Sequence, residues 1–305
     1  MCKIAAGIVV FNPNNYERFI KSFSSVVNQF SRVYVFDNST VKVNIPKPRN
    51  VIYMTEYKNK GIAYGLNRIM KAADNDGFEW VVTFDQDSIV PKGLLDEYKR
   101  NINTQKIGII CPLIVDRRRS YDKHEVSHDK EYVTECITSG SCTLIDAWKK
   151  IGRFDEWLFV DLVDNDFCKR MIHSKYKILR LNNVILDQEF GVIEPKSKRI
   201  QNFWIDVSKI MHNINFAKLG YKKKVSPMRV YYTNRNVIYL NKKLKKYGGI
   251  GYKNYNASSY LGFWIAFNLP SILRSSNKIK VISAISNGIR DGRAKKVSDW
   301  INLDE

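Results

Sequence analysis

"EWVVTFDQDSIVPKG", residues 79–93, opens as a hydrophobic strand and stops on two aspartates one residue apart. Trp80, Val81, Val82 and Phe84 call for burial, whereas Asp85 and Asp87 arrive where a buried strand should still be dry. In a strand, side chains two residues apart share a face, so both carboxylates can address one ligand. Two carboxylates so placed repel each other unless a cation offsets them. Mg2+ or Mn2+ typically takes one or two carboxylates together with phosphate oxygens. The alternative is a helix N-cap, because Asp87-Ser88 precedes a helix expected at Pro91.

Working outward, the first half of the chain alternates strands and helices. "KIAAGIVVF" (3–11) reads as an apolar strand ended by the turn signal Asn12-Pro13-Asn14-Asn15. Phe19, Phe23, Val26, Val27 and Phe30 recur at helical spacing. "RVYVFDNS" (32–39) and "NVIYMTE" (50–56) are further strands, and "GIAYGLNRIMKAAD" is a helix leading into "EWVVTFD". This alternation predicts an α/β fold with a mostly parallel sheet flanked by helices, in which ligands gather at the carboxyl ends of strands. Three of the four strands end in polar residues suited to that: Phe11-Asn12, Asp37-Asn38 and Asp85-Gln86-Asp87. Beyond residue 105 shorter strands are expected in "KIGIICPLIVD", "YVTECITSGSCTLI" and "YKILRLNNVILDQEF", with a helix through "DNDFCKRMIHS".

The 305 residues suffice for one large α/β domain with an extension, and 44% apolar residues supply a core. A formal net charge of +20 points to anionic partners: nucleic acid, an anionic membrane surface or phosphorylated small molecules. The five cysteines form no C-x-x-C pair, which argues against a disulfide scaffold or structural zinc and for a reducing compartment. The N-terminus lacks a signal-peptide pattern, and "YLGFWIAFNLPSIL" (260–273) is too short to span a bilayer and contains Pro270. A cytoplasmic, soluble or peripheral protein is expected.

Two further segments can carry chemistry. "NKGIAYGLN" (59–67) places Asn59, Lys60 and Gly61 at a strand-to-helix turn, where backbone N–H groups and a lysine can meet an anion, although Gly61 and Gly65 also read as helix-start and packing glycines. "FDEWLFVDLVDNDFCKR" (154–170) holds five acidic residues. Asp164 and Asp166 fall in the first turn of a helix starting near Val163, where acids are ordinary dipole partners. A catalytic base needs one carboxylate at the mouth of a site. The sequence does not show which of the five that is.

The order of these motifs resembles glycosyltransferase family 2 with a GT-A fold, in particular its bacterial rhamnosyltransferase and galactofuranosyltransferase-like branch. The resemblance rests on "VVFNPN" (9–14), "VFDNST" (35–40), "NKGIAYGLN" (59–67), "FDQDS" (84–88), "TSGSCTLI" (138–145) and "GRFDEWLFVDLVDNDFCKR" (152–170), with "RVYYTNRN" (229–236) and "GIRDGRAKK" (288–296) downstream. It implies a Rossmann-like GT-A mixed sheet and an inverting, metal-dependent enzyme. By it, a sugar moves from a nucleotide-diphosphate donor (dTDP- or UDP-linked) to a saccharide or lipid-linked acceptor, in bacterial cell-surface polysaccharide synthesis.

By that resemblance Asp37 binds the nucleotide, helped by the backbone of Phe11 and Asn12, while Asn59, Lys60 and Gly61 line the donor pocket. Asp85 and Asp87 hold the diphosphate through Mg2+ or Mn2+, and Asp164 is the general base. Ser139, Gly140, Asp161 and Asp166 belong to the acceptor and sugar pocket. One departure is visible: the family's usual metal-site histidine, in His-x-x-Gly, is replaced in "LDQEFG" (186–191) by Gln188, with Asp187 or Glu189 as candidate substitutes. A silent nucleotide-sugar-binding protein is the rival this permits. A nucleotidyltransferase is the rival within enzymes, but "FNPNNYERF" is not the Gly-rich phosphate loop it would carry.

A catalytic domain over 1–197 is expected, followed by a basic helical region over 198–305 facing acceptor and membrane. Lysines cluster there ("KKK" 222–224, "KKLKK" 242–246). Peripheral contact with an anionic membrane, at the inner face of the plasma membrane, competes with a plain solvated helix face. Nucleic-acid binding is not expected, since no recognition module is present. "HEVSH" (124–128) matches a zinc-protease motif but lies in a polar segment between strands, where a helix is not expected.

Overall fold

The computed structural model describes residues 2–41, 43–119, 128–189, 191, 193–212, 216–252, 255 and 257–302. The segment His124–Ser127 of the protease-like motif lies outside them. The chain opens with β1 (Ile4–Val10), α1 (Tyr16–Val27), β2 (Val33–Asp37), β3 (Val51–Thr55), α2 (Ile62–Asn75), β4 (Trp80–Asp85) and α3 (Leu94–Asn101). It continues through β5 (Ile107–Val115), β6 (Lys130–Val133), β7 (Cys142–Leu144), α4 (Ile145–Lys150), α5 (Val163–His173) and β8 (Lys177–Asp187). The expected single strand over 132–145 is therefore two, because residues 134–141 leave the sheet and run past the end of β4.

Eight strands form one sheet in the order β3-β2-β1-β4-β7-β5-β8-β6. The β3-β2-β1-β4 block is parallel throughout, while β7 runs antiparallel to both β4 and β5 and β6 antiparallel to β8, so the sheet is mixed. β1 shows why its residues are apolar on both faces. Ala5 and Val9 enter the core under α2 and α5, whereas Ile4, Ala6, Ile8 and Val10 enter the core under α1 and α3. Helix α1 starts on Asn15, whose side chain accepts from Arg18 N at 3.0 Å, and buries Phe19, Phe23 and Val26. Each such side chain contributes about 1.5–3 kcal/mol on burial.

The second part comprises β9 (Ile193–Pro195), α6 (Lys198–Ile210), β10 (Tyr221–Lys223), α7 (Pro227–Lys243), α8 (Tyr260–Phe263), a π-helical turn (Trp264–Asn268), α9 (Leu269–Arg274) and α10 (Lys278–Ala294). Val237, Tyr239, Leu240 and Leu244, at the end of α7, and Phe263 of α8 share one apolar core with Phe154, Leu158 and Phe167. The sheet and these helices are thus packed into one body. Gly288 and Gly292 let α10 lie directly on α7: a Cβ at either would sit 2.5 Å from Tyr231 O or 2.6 Å from Arg235 O.

Candidate active site

Parallel pairing in register brings three strand ends together. Val10 pairs with Asp37 and Val9 with Asp85, so β1, β2 and β4 stop at one level. Gln86 explains the residue between the two aspartates. Its amide clamps Phe11 from both sides, accepting from Phe11 N at 2.8 Å and donating to Phe11 O at 3.1 Å. The strand ends at Asp85, and Ser88 N bonds back to Asp85 O at 3.3 Å. Asp87 therefore owes its position to this turn, not to the strand pleat. Nor does Asp87-Ser88 cap a helix: α3 begins at Leu94 behind Gly93, and Ser88 Oγ meets Ser139 Oγ at 2.7 Å.

Ser139 and Gly140, expected to line the sugar pocket, bond to the end of β4 and to Tyr98. Ser139 Oγ accepts from Asp85 N at 3.1 Å, Gly140 N donates to Thr83 O at 2.7 Å, and Gly140 O accepts from the Tyr98 hydroxyl at 2.6 Å. Asp37 is 1% exposed, its two carboxylate oxygens accepting from Ser39 N at 2.9 Å and the Tyr53 hydroxyl at 2.7 Å. Asn12 N donates to Ser39 Oγ at 2.9 Å.

The anion cradle expected at 59–61 is already filled from within the protein. Lys60 N donates to Asn38 Oδ1 (3.1 Å), Gly61 N to Asn59 Oδ1 (3.0 Å) and Ile62 N to Phe159 O (2.8 Å). The Lys60 ammonium pairs with Glu56. Gly61 has φ +86°, and a Cβ there would meet Phe159 O at 2.5 Å, so glycine is required on both counts.

Asp85 and Gln188 face each other, with Gln188 Nε2 donating to Asp85 Oδ2 at 2.6 Å. Burial, then the neighbouring Asp87 charge, pushes the Asp85 carboxyl up to about 6 against the pull of Gln188 and Arg229. Burial also pushes Asp87 up, with Arg18 opposing. Gln188 is 5% exposed, yet among the described residues its Oε1 has no hydrogen-bond partner. Two crowded carboxylates beside an orphaned amide oxygen fit a hard, oxygen-seeking divalent cation. Asp187 and Glu189 do not complete this set. Asp187 meets Arg18 and Arg117 at 3.6 and 3.8 Å, and Glu189 meets Arg18 and Arg118 at 3.3 Å each. Among the described residues there is no group of three or more His, Cys, Asp or Glu that could hold a metal. A cation here would rest on the two aspartates, Gln188 and oxygens of a bound diphosphate.

The second acidic segment resolves by elimination. Asp155 pairs with Lys243 (2.7 Å) and accepts from the Tyr239 hydroxyl (2.7 Å), and Glu156 accepts from Asn67 Nδ2 (2.8 Å). Asp161 is forked by Arg229 through Nε contacts of 3.1 and 3.2 Å. Asp166, expected in the sugar pocket, is instead fully buried between Arg170 (2.5 Å) and Lys243 (2.9 Å). Asp164 alone of the five has no side-chain partner among the described residues; it accepts from Asn165 N, at 3.0 Å. Burial pushes its carboxyl up to about 7, with Cys136 and Asp161 adding to the rise. It lines a small cavity with Thr83, Thr138, Ser141, Cys136 and Cys168.

Residues missed in the sequence hold this arrangement. Asp161 and Leu162 adopt φ of +64° and +65°, turning the chain into α5. Asn236 secures that turn by donating to Val160 O and Asp161 O at 2.8 Å each. Arg235 stacks 3.8 Å over Trp157 and donates to its carbonyl at 2.5 Å. Arg235 and Asn236 both lie in "RVYYTNRN", whose acid-free mix of Arg, Asn and Tyr on a buried helix was the available signal.

The family model described as glycosyl transferase family 2 matches residues 7–168. The dTDP-rhamnosyl transferase RfbF of Shigella flexneri is 24% identical over 262 residues, covering 79% of this chain and 80% of that protein. Among solved structures, the mannosyltransferase PcManGT from Pyrobaculum calidifontis, in complex with GDP-Man and Mn2+, aligns at TM-score 0.53 and 13% identity over 97% of this chain and 76% of that one. GalNAc-T7 with UDP, GalNAc and Mn2+ aligns at TM-score 0.53 and 10% identity, covering 88% of this chain. The chain spans 57% of the length of GalNAc-T7. The two structures show the fold, GT-A.

Proposed function

Because the chain belongs to glycosyl transferase family 2 and is a nucleotide-sugar glycosyltransferase, we propose that it is an inverting, metal-dependent hexosyltransferase with Asp164 as its base. Its donor is a dTDP- or UDP-linked rhamnose, galactofuranose or other hexose. Its acceptor is a saccharide or lipid-linked saccharide of bacterial surface polysaccharide, met at the inner face of the plasma membrane. The relative named a dTDP-rhamnosyl transferase supports rhamnose within that set.

The observation that carries this reading is that Asp164 has no side-chain partner among the described residues, beside four acids that each have one. A carboxyl raised to about 7 is matched to taking a proton near neutral pH, which contributes about 10²–10⁴ in rate. Asp164 would take the acceptor hydroxyl proton as that oxygen attacks the anomeric carbon on the face opposite the leaving diphosphate. Asp37, with the Phe11–Asn12 backbone, would hold the nucleoside, and Asn59, Lys60 and Gly61 would shape the wall beside it. Asp85, Asp87 and Gln188 would hold Mg2+ or Mn2+, which when bound supplies positive charge against the leaving diphosphate. Asp161 and Ser139-Gly140 position the base and the end of β4 rather than grip sugar.

The test is transfer, or donor hydrolysis, by the purified protein across a panel of nucleotide sugars with and without Mn2+. The reading expects turnover with at least one donor, lost on adding a chelator. Donor binding without any turnover on the panel would favour the silent binding protein.

A further inference from the structure

The surface of α8–α9 and α10 is apolar where no described residue covers it. From Tyr260 to Arg274 every fourth residue alternates between two destinies. Phe263, Phe267 and Ser271 turn inward, Phe263 and Phe267 stacking at 5.4 Å, and Ser271 Oγ donates to Phe267 O at 2.6 Å. Leu261, Ile265, Leu269 and Leu273 form the opposite stripe and are 39–69% exposed. The next helix adds Ile279 at 81% and Ile282 at 51%, while its other face, with Val281 and Ile285, packs on α7. A helix apolar on both sides is buried in protein or meets lipid, and this one is buried on one side only.

The surrounding charge selects the occupant. From residue 207 to 290 the sequence holds sixteen Lys and Arg and no Asp or Glu. Arg274, Lys278 and Lys280, at the edge of the stripe, are exposed. A second copy of the chain would bring the same positive charge to this face and be repelled. A bilayer rich in anionic phospholipid supplies both the apolar phase and the counter-charge. Among the described residues no helix is long and apolar enough to cross a membrane.

We propose that the stripe Leu261, Ile265, Leu269, Leu273, Ile279 and Ile282, rimmed by Arg274, Lys278 and Lys280, is an interfacial docking face that lays the protein on an anionic phospholipid surface. It deepens the reading of a lipid-linked acceptor, and rests on that reading for its purpose though not for its chemistry. Docked this way, the enzyme meets its acceptor by diffusion in two dimensions. The basic rim sets the approach, and the four aliphatic side chains of α8–α9 hold the surface.

The experiment is co-sedimentation of the full chain with vesicles of phosphatidylglycerol and of phosphatidylcholine, which requires no sugar transfer. Its failure would leave the glycosyltransferase reading standing, and an inactive enzyme would still be scored for docking. The wild type is expected on phosphatidylglycerol vesicles and not on phosphatidylcholine. The combined variant Leu261→Ser, Ile265→Ser, Leu269→Ser, Leu273→Ser should partition at least about tenfold less while melting as the wild type does. Combined Arg274→Gln, Lys278→Gln, Lys280→Gln should weaken binding most at low salt. Equal partitioning of the serine variant and wild type overturns the proposal. So does a wild-type dimer that those serines convert to monomer, because the face would then join two copies. Should the serine variant fail to melt as the wild type, single Leu261→Ser and Leu273→Ser replacements give the same reading through their separate losses.

Discussion

Asp164 carries the sharpest consequences at the scale of one residue. Asp164→Asn should reduce transfer by about 10²-fold or more while nucleotide-sugar binding is kept, and a titration together with a rate assay separates the two. Retained turnover would remove the base assignment. The rate should also fall as pH drops below about 7, since a protonated Asp164 cannot accept the acceptor proton. The same shift affects stability with a definite sign. An Asp whose folded value lies above its unfolded value keeps a proton that the unfolded chain has lost. Native stability therefore declines as pH rises from about 4 to about 7, and stays lower above that window. Asp164→Asn removes this term, so it should raise Tm more at about pH 8 than at about pH 5. An equal Tm change at both would mean that the carboxyl is not raised. In the sequence Asp164 was one acid among five; its neighbours' partners, not its own surroundings in the chain, single it out.

At the scale of elements, the turn from Trp157 to Leu162 joins three pieces of structure. It caps α2 through Phe159 O, opens α5 through two left-handed residues, and is held from α7 by Asn236 and Arg235. Gly61→Ala would add a Cβ 2.5 Å from that carbonyl at a φ of +86°, and should destabilise the fold by about 1–3 kcal/mol, read by denaturant unfolding. Asn236→Ala leaves two carbonyls of the turn without their donor. It should cost about 1–3 kcal/mol and, on the proposed assignment, lower kcat more than it raises KM, because it displaces Asp164 and leaves the ends of β1 and β2 intact. A change confined to KM would show that the turn serves donor binding instead. The strands and helices at this scale were legible from periodicity. The split of 132–145 into β6 and β7 was not, since an apolar run says nothing about which partner strand will pair with it.

For the whole molecule, the basic C-terminal region is part of the body that holds the site. Lys243, the last residue of α7, is 2.7 Å from Asp155 and 2.9 Å from the buried Asp166, so α7, α5 and the turn before α5 share one ionic network. Lys243→Met should cost about 3–5 kcal/mol by leaving Asp155 without its cation and Asp166 with Arg170 alone, measured by chemical unfolding. Chain ending at residue 197 should fail to give a cooperative unfolding transition, because Leu158, Phe154 and Phe167 would lose Val237, Leu240 and Phe263 from their shared core. A cooperative 1–197 fragment would support the two-part division expected from composition. By itself the sequence determined the α/β alternation, the polar strand ends at Asn12, Asp37 and Asp85, and a family resemblance through motif order. These depend on local periodicity and spacing, which the chain carries along its length. Only tertiary structure decided that Gln86 clamps Phe11, that Gln188 faces Asp85, and that Asp164 is the acid of its segment left without a side-chain partner among the described residues. Those outcomes depend on partners 75 to 103 residues away for the two glutamines, and on Arg229 and Lys243 for the acids around the base. Charge pairing acts through space, and a one-dimensional pattern does not state which distant side chain will arrive.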